Sequence, residues 1–215
     1  MDRVALLEAL AVKIAGVHRP HPLRVAIDGV DGVGKTCFAD ELVPPLERRG
    51  FPVIRASVDD FHNPRAARYR LGKSSPEGYF LDSFNYEALT THLLVPLGPG
   101  GSLQYQCAVF DYRTDSPVSP PLETAPDNAI MLFDGIFLHR PELRSHWDFS
   151  IFLDAPFTAT APRVAHRDGG TPALGAPENL RYIEGQKLYL RRCEPTRVAT
   201  VVINNENLTS PYIVR

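Results

Sequence analysis

The feature that most constrains this chain is an eight-residue stretch near its N-terminus, GVDGVGKT at residues 29–36. It follows the apolar run LRVAID (23–28) and leads into a helical pattern that begins at Lys35. Glycines permit backbone angles that let successive N–H groups close around a phosphate chain. A helix that starts at this point directs about half of an elementary positive charge to the same place. The stretch therefore predicts a loop that grips a polyphosphate at the end of a strand.

The polar side chains of this loop have predicted tasks. In a G-x-x-x-x-G-K-T loop the lysine reaches the β- and γ-phosphates of a nucleotide, and the threonine hydroxyl coordinates magnesium. We therefore predict ATP and Mg²⁺ as cofactors, with GTP left open. Asp134 ends the apolar run IMLF and is predicted to hold the water shell of magnesium, an ordinary turn before Gly135 being the alternative. The predicted nucleotide-binding residues are Gly29, Val30, Asp31, Gly32, Val33, Gly34, Lys35, Thr36 and Cys37.

Strand and helix patterns alternate along the chain. Apolar runs that are unbroken, as in buried parallel strands, occupy 23–28, 52–57, 130–133, 149–153 and 198–203. Helical patterns occupy 2–16, 35–49, 84–95, 157–167 and 178–193. This alternation predicts a three-layer α/β fold of the P-loop NTPase type, in which a five-stranded parallel sheet carries helices on both faces.

The segments outside this alternation are predicted to cover the carboxyl edge of the sheet. A basic, polar segment at 62–82 and a Gly/Pro-rich segment at 97–129 are interpreted as flap insertions, and 157–177 as a lid. A chain of 215 residues can bury one sizeable core, so we predict that 1–215 form a single domain.

Composition narrows the classes of partner. A net charge of −2 does not predict a nucleic-acid partner. Apolar runs fall short of the roughly 18 residues that span a bilayer, and the N-terminus lacks the core of a signal peptide. We therefore predict a cytoplasmic protein with no membrane partner, and homo-oligomerisation stays open. Cys37, Cys107 and Cys193 lie far apart and are predicted to be reduced, mostly buried thiols.

The order of the motifs resembles that of the uridine kinase and phosphoribulokinase group of P-loop kinases. The matching motifs are GVDGVGKT, SVDDFH, SFNYEAL, VFDYR, MLFDGIF and RVAHRD, which together cover roughly residues 23–168. The resemblance implies that the acceptor of the phosphoryl group sits under a flap. It also implies a kinase that transfers the γ-phosphoryl group of ATP to a hydroxyl group of a small metabolite.

The resemblance also implies catalytic residues. Asp59, in SVDDFH, matches the position that accepts the proton of the attacking hydroxyl, whereas two solvated turn acids are the alternative. Because successive side chains of a strand face opposite ways, we expect only one of Asp59 and Asp60 to enter the pocket. Arg163 and Arg167 match lid arginines and share a helix face. With Lys35 they are predicted to stabilise the transferred charge, unless they form a solvated helix face.

The residues that read a nucleoside in this family differ here. Tyr79 stands where relatives have an Asp on the ribose hydroxyls, and Asp115 stands where they have a His beside the uracil. An acceptor-only carboxylate would repel a uracil carbonyl, so uridine is predicted to be a poor substrate. The predicted substrate-binding residues are Asp60, His62, Tyr79, Phe110, Asp111, Arg113 and Asp115.

Several readings of function stay open at this stage. The acceptor could be a nucleoside, a sugar or sugar phosphate, or an alcohol like pantothenate or glycerate. Four basic residues follow His62, namely Arg65, Arg68, Arg70 and Lys73. They could bind a phosphate on the acceptor, or they could lie on a solvated flap helix. The alternatives to a kinase are a nucleotide-dependent switch without a small-molecule acceptor and a degenerate kinase that only binds nucleotide. The flap segments and the absence of an N-K-x-D motif speak against the switch.

Overall fold

The computed structural model describes residues 2–215. The helices, in chain order, are α1 (Arg3–Ala15), α2 (Lys35–Glu47), α3 (Arg65–Arg68), α4 (Pro76–Asp82), α5 (Tyr86–Leu89), α6 (Phe157–Asp168), α7 (Pro177–Cys193) and α8 (Pro195–Val198). The strands are β1 (Leu23–Gly29), β2 (Val53–Ser57), β3 (Gln104–Tyr105), β4 (Phe110–Asp111), β5 (Ser116–Pro117), β6 (Glu123–Thr124), β7 (Ile130–Gly135), β8 (Phe149–Asp154), β9 (Val201–Asn204) and β10 (Tyr212–Ile213). Short 3₁₀ turns occupy Val58–Phe61 and Arg144–His146, and one π-helical turn occupies Thr90–Leu94.

The main sheet has the strand order β10-β9-β8-β1-β7-β2. Strands β9, β8, β1, β7 and β2 run parallel to one another, and β10 pairs antiparallel with β9. Strand β1 is therefore central, with β7 and β8 as its neighbours. The carboxyl ends of β1, β2 and β7 consequently meet at one edge of the sheet, and the motifs of interest follow these ends.

Helices cover both faces of this sheet, which gives three layers. Val25 and Ile27 of β1 pack on one face with apolar residues of α1 and α2, whereas Ala26 joins the core on the opposite face. That second core includes Phe133 of β7 and Tyr189 of α7. Because each face buries its own apolar layer, the strands have to be apolar throughout, and this explains their unbroken sequence pattern. The predicted α/β fold class is confirmed.

Three details of the sequence prediction need correction. The sheet has a sixth strand, β10, which is too short at two residues to leave a sequence signal. The strand predicted at 198–203 begins only at Val201, because Pro195–Val198 form a helical turn. The helix predicted at 84–95 is divided into α5 and the π-helical turn that follows it.

The segments predicted as flaps form small elements beside the sheet. Residues 62–82 contain α3 and α4, and α4 packs against α7. Residues 97–129 contain the antiparallel pairs β3–β6 and β4–β5. No helix within residues 2–215 combines the length and the apolar character that crossing a bilayer requires.

Candidate active site

The loop between β1 and α2 has the backbone geometry of an anion-binding turn. Gly32 and Gly34 have φ angles of +73° and +95°, which favour glycine. Gly34 is the N-terminal cap of α2, and no side chain hydrogen-bonds to the free N–H groups of the first turn. These N–H groups and the positive end of the helix dipole therefore face the loop. The Lys35 ammonium folds across the same loop and donates to the Val30 carbonyl at 3.0 Å.

A carboxylate and a hydroxyl meet at the start of α2. The Thr36 hydroxyl donates a 2.7 Å hydrogen bond to Oδ2 of Asp134, which is 2% exposed at the end of β7. The other oxygen of Asp134 accepts a 2.9 Å bond from Arg55 of β2. Within residues 2–215 no group of three His, Cys, Asp or Glu side chains is placed to hold a metal ion. A magnesium ion at Thr36 and Asp134 would thus take its other ligands from water and phosphate, which suits its preference for retained water.

Arg163 and Asn205 stabilise the phosphate loop by donating hydrogen bonds to its backbone carbonyls. The Asn205 amide, which is fully buried, donates to the Val33 carbonyl at 2.7 Å. Arg163 of α6 donates to the carbonyl of Gly32 at 3.4 Å, and also to the carbonyls of Asn205 and Glu206. The guanidinium of Arg163 is thus engaged by three backbone carbonyls. This arrangement favours a role in fastening the loop over the predicted role at the transferred phosphoryl group.

Asp59 lies near the phosphate loop. Its side chain reaches solvent, but the surrounding protein partly desolvates the carboxyl and raises its pKa above the ordinary value of 3.8. The charges of His62 and Lys35 lower this pKa, and those of Asp31 and Asp134 raise it. Asp59 therefore lies within electrostatic range of both Lys35 of the loop and Asp134 near the end of β7.

The two acids of SVDDFH are presented by a turn rather than by a strand. Strand β2 ends at Ser57, and Asp59 and Asp60 belong to the 3₁₀ turn Val58–Phe61. The expectation that they face opposite ways as strand residues is therefore wrong, because about 120° of rotation per residue separates them. Burial raises the pKa of Asp60, and the charges of Asp59 and Asp134 raise it further. Both carboxyls thus lie in one acidic region.

His62 closes the same turn with its ring between two aromatic side chains. Its Nδ1 donates to the Asp59 carbonyl at 2.8 Å. The ring centroids of Phe84 and Tyr112 lie 4.6 Å and 5.0 Å from that of His62. Burial lowers the pKa of His62, so the ring is neutral at physiological pH. His62 therefore places an uncharged aromatic ring beside Asp59.

The hairpin of β4 and β5 holds the remaining predicted substrate residues. Phe110 is buried, and Asp111 turns back to accept hydrogen bonds from the backbone N–H groups of Arg113 and Thr114. The exposed Arg113 guanidinium lies over the ring of Tyr112, 5.7 Å from its centroid. In this hairpin Arg113 and Tyr112 are therefore placed better than Asp111 to meet a ligand.

Asp115 is engaged by the flap. Its carboxylate accepts a 2.9 Å bond from the Arg65 backbone N–H and a 3.2 Å bond from the Arg68 guanidinium. The adjacent charge of Arg68 offsets the repulsion that a free carboxylate would exert on a uracil carbonyl. The predicted poor use of uridine stays a prediction, and its electrostatic basis is weaker than the sequence implies.

Tyr79 contacts the phosphate loop. Its hydroxyl donates a 2.9 Å hydrogen bond to Oδ2 of Asp31, and burial raises the pKa of Tyr79 well above its ordinary value. Gln186 of α7 donates to the same oxygen at 3.2 Å and accepts a 2.8 Å bond from the Asp31 backbone N–H. Helix α4 of the flap and helix α7 thus both contact one loop carboxylate.

Arg167 is exposed at the end of α6 and pairs with Asp168 at 2.7 Å. This hydrogen bond raises the pKa of Arg167, and the charges of Asp31 and Asp59 raise it further. Arg167, unlike Arg163, therefore extends towards the acidic side of the site.

Cys37 is also exposed, so the expectation of mostly buried cysteines is wrong at this position.

Three residues of the site have no signal in the sequence. Gln186 contacts a residue 155 positions away, and no local motif marks it. Arg55 belongs to an ordinary strand pattern, and Tyr112 adjoins a matched motif without a predicted role of its own. Each acquires its place only through the packing of distant segments.

Solved structures of several kinases resemble this one. A possible uridine kinase from Bacillus stearothermophilus matches with a TM-score of 0.72 and 26% identity, over 91% of this chain and 96% of that one. A D-glycerate 3-kinase from Cryptococcus neoformans var. grubii matches with a TM-score of 0.56 and 13% identity, over 99% and 97% of the two chains. Phosphoribulokinase from Rhodobacter spheroides matches with a TM-score of 0.57 and 17% identity, over 86% and 70%.

No protein-family model and no curated protein sequence matches the chain. The structural matches nevertheless confirm what the order of the motifs indicates, because proteins of the same group share the fold. In fold and in motif order, this chain resembles the uridine kinase and phosphoribulokinase group of P-loop kinases.

Proposed function

We propose that this protein is an ATP-dependent kinase that transfers the γ-phosphoryl group to a hydroxyl group of a small metabolite. The observation that carries the proposal is the position of Asp59 within electrostatic range of Lys35 and Asp134. A loop that only binds nucleotide does not need a partly desolvated carboxylate beside a flap, and the assay below distinguishes an acceptor hydroxyl group from water as the nucleophile that this carboxylate activates. The structural neighbours, which are kinases, support the same conclusion.

The residues at the sheet edge fit a magnesium nucleotide. The uncapped first turn of α2 offers N–H groups to a phosphate chain, and Thr36 and Asp134 would hold the metal. Bound magnesium neutralises charge on the β- and γ-phosphate oxygens. Lys35 would leave the Val30 carbonyl and direct its ammonium to the same oxygens.

The remaining residues act on the acceptor. Asp59 accepts a hydrogen bond from the acceptor hydroxyl and aims its oxygen at the γ-phosphorus. As the new O–P bond forms, the bond from the γ-phosphorus to the bridging oxygen of the β-phosphate breaks, ADP leaves, and Asp59 takes the proton of the hydroxyl. Arg167 adds positive charge from the lid. The rings of His62 and Tyr112, with centroids 5.0 Å apart, would flank the reacting hydroxyl group. Acceptors compatible with this site are a nucleoside, a sugar or sugar phosphate, and a pantothenate- or glycerate-like alcohol.

The proposal is tested by acceptor-stimulated release of ADP. The purified chain is incubated with MgATP and a panel of nucleosides, sugars, sugar phosphates, pantothenate and glycerate. We expect at least one acceptor to raise ADP release well above the rate with water and to become phosphorylated itself. Nucleotide hydrolysis that no acceptor stimulates would refute the kinase and favour the switch.

The role of Asp59 is tested with Asp59→Asn, which keeps shape but removes the proton acceptor. We expect kcat to fall by about 10²–10⁴-fold, while the Kd of MgATP changes by less than about twofold. Asp127→Asn, an exposed carboxylate before β7 at the opposite edge of the sheet, is the matched control. An equal loss of nucleotide binding and transfer in Asp59→Asn would contradict the role.

A further inference from the structure

We propose that Asp31 is a specificity residue whose free carboxylate oxygen binds a second hydroxyl group of the acceptor, so that the acceptor is a neutral polyol. The inference rests on the proposed kinase function and narrows its substrate class. It gives Asp31 a role in binding the acceptor, whereas the other residues of the phosphate loop bind the nucleotide.

The side chain of Asp31 is held in one orientation from two elements. The Tyr79 hydroxyl and the Gln186 amide both donate to Oδ2, at 2.9 Å and 3.2 Å. Gln186 is 1% exposed, and it also fixes the backbone N–H of Asp31. Tyr79 is itself fixed by the rings of Phe137 and Tyr182, with centroids 5.3 Å and 4.9 Å away. A carboxylate oriented in this way is preorganised to bind a ligand.

The second oxygen of this carboxylate is free. Within residues 2–215, Oδ1 of Asp31 accepts no hydrogen bond, and it is not among the buried polar atoms without a partner. It is therefore reached by solvent, in a residue that is otherwise half-buried. A carboxylate oxygen accepts hydrogen bonds only, so its natural ligand is a donor such as a hydroxyl group.

The carboxylate lies on the side of the loop that faces the flap, because Tyr79 of the flap helix α4 donates to it. Its charge acts on both Asp59 and Arg167, the residues proposed to handle the acceptor and the transferred group. A negative charge does not help a loop to grip a polyanion. The same charge does help to bind a hydroxyl group next to the one that Asp59 aims, because hydrogen bonds to charged groups are stronger than neutral ones.

Three guanidinium groups at the flap are engaged by groups of the protein itself. Arg68 pairs with Asp115 and Arg70 pairs with Asp82. Arg181, also close to the flap, donates to backbone carbonyls of residues 68–75 and is 5% exposed. These three guanidinium groups hold the flap together. A phosphate on the acceptor would therefore depend on Arg65 and Lys73, and D-ribose 5-phosphate tests them in the experiment below.

The experiment compares each acceptor with its deoxy counterpart. Uridine and 2′-deoxyuridine, D-ribose and 2-deoxy-D-ribose, and glycerol and propane-1,2-diol are assayed by ADP release, together with D-ribose 5-phosphate. We expect a neutral polyol to be the best acceptor. Its kcat/KM should exceed that of the deoxy counterpart by at least about tenfold, as expected for a lost hydrogen bond to a charged group.

In the Asp31→Asn variant, the ratio of kcat/KM for the polyol to kcat/KM for its deoxy counterpart should fall to a value between about 1 and 3. The KM for ATP should change by less than about twofold. Asp127→Asn should keep the wild-type ratio. Tyr79→Phe, which keeps the carboxylate but removes one orienting donor, should raise the acceptor KM by about 2–10-fold, and it replaces Asp31→Asn if that variant does not fold.

The possible failures are distinct. ADP release that no acceptor stimulates refutes the kinase and the inference with it. A polyol acceptor whose preference over the deoxy compound survives Asp31→Asn refutes the inference alone, as does D-ribose 5-phosphate being the best acceptor. A loss of ATP affinity in Asp31→Asn as large as the loss with the acceptor would assign Asp31 to the nucleotide loop only.

Discussion

The contact between the phosphate loop and α6 predicts a specific effect of adding one methyl group at Gly32. A Cβ atom at Gly32 would lie 2.5 Å from the backbone oxygen of Thr160 and 2.8 Å from Cγ2 of Val164. The φ angle of +73° adds conformational strain. Since the nearest atom is helix backbone, the clash cannot be relieved by rotating a side chain.

Gly50→Ala is the matched control, because it separates strain from clash. Gly50 has a φ angle of +85°, but an added Cβ atom meets nothing within 4 Å. Both variants should lose about 1–2 kcal/mol from the left-handed backbone. Gly32→Ala should lose about 1–3 kcal/mol more from overpacking. In a chain of this size, each kcal/mol lowers Tm by about 2–4 °C.

The assays are thermal unfolding and titration of MgATP. If the loop stays in place, the added clash appears as a further loss of Tm. If the loop moves away from α6, the same free energy appears in MgATP binding, where 1.4 kcal/mol is about tenfold in Kd. A Gly32→Ala variant as stable as Gly50→Ala, with wild-type affinity for MgATP, would refute the packing described here.

Three further predictions concern the chemistry of the site. Burial raises the pKa of Asp59 above 3.8, and Asp59 acts as a base only when it is deprotonated. We therefore expect kcat/KM to fall as the pH is lowered, with a midpoint above pH 3.8. A value of kcat/KM that stays constant down to about pH 4 would contradict this. Thr36→Val removes the donor to Asp134 and should raise the Mg²⁺ concentration needed for half-maximal ADP release by about 10–100-fold, with Thr36→Ser restoring it. Arg163→Met should lower Tm and MgATP affinity, whereas Arg167→Met should lower kcat at an unchanged Tm. The reverse pattern in these two variants would exchange their roles.

The parts of the fold that could be predicted are those with local signals. Neighbouring residues alone determine the conformation of the central strands and of the phosphate loop. The apolar runs and the loop glycines are therefore visible in the sequence. The predicted strand at 52–57 ends at the observed residue, but no local signal marks the 3₁₀ turn Val58–Phe61 that follows it, and strand geometry is therefore wrong for Asp59 and Asp60. This turn changes the angle between the side chains of Asp59 and Asp60, which could be determined only from the structure.

The parts of the candidate site that could not be predicted depend on distant contacts. Arg163 has the spacing of a lid arginine, but the carbonyls that engage it come from Gly32 and from residues 205 and 206. Asp115 has the alignment of a base-reading residue, but Arg68 of the flap engages it. In both cases the sequence identifies the correct region, and the partner that decides the role lies far along the chain.

The short strand β10 affects how copies of this chain could associate. By pairing with β9 it occupies the hydrogen-bonding groups at one margin of the sheet, and at two residues it offers little backbone to a strand from another molecule. Extension of the sheet from one molecule into the next is therefore disfavoured on that side. A homo-oligomer that continues the sheet would therefore use the margin at β2.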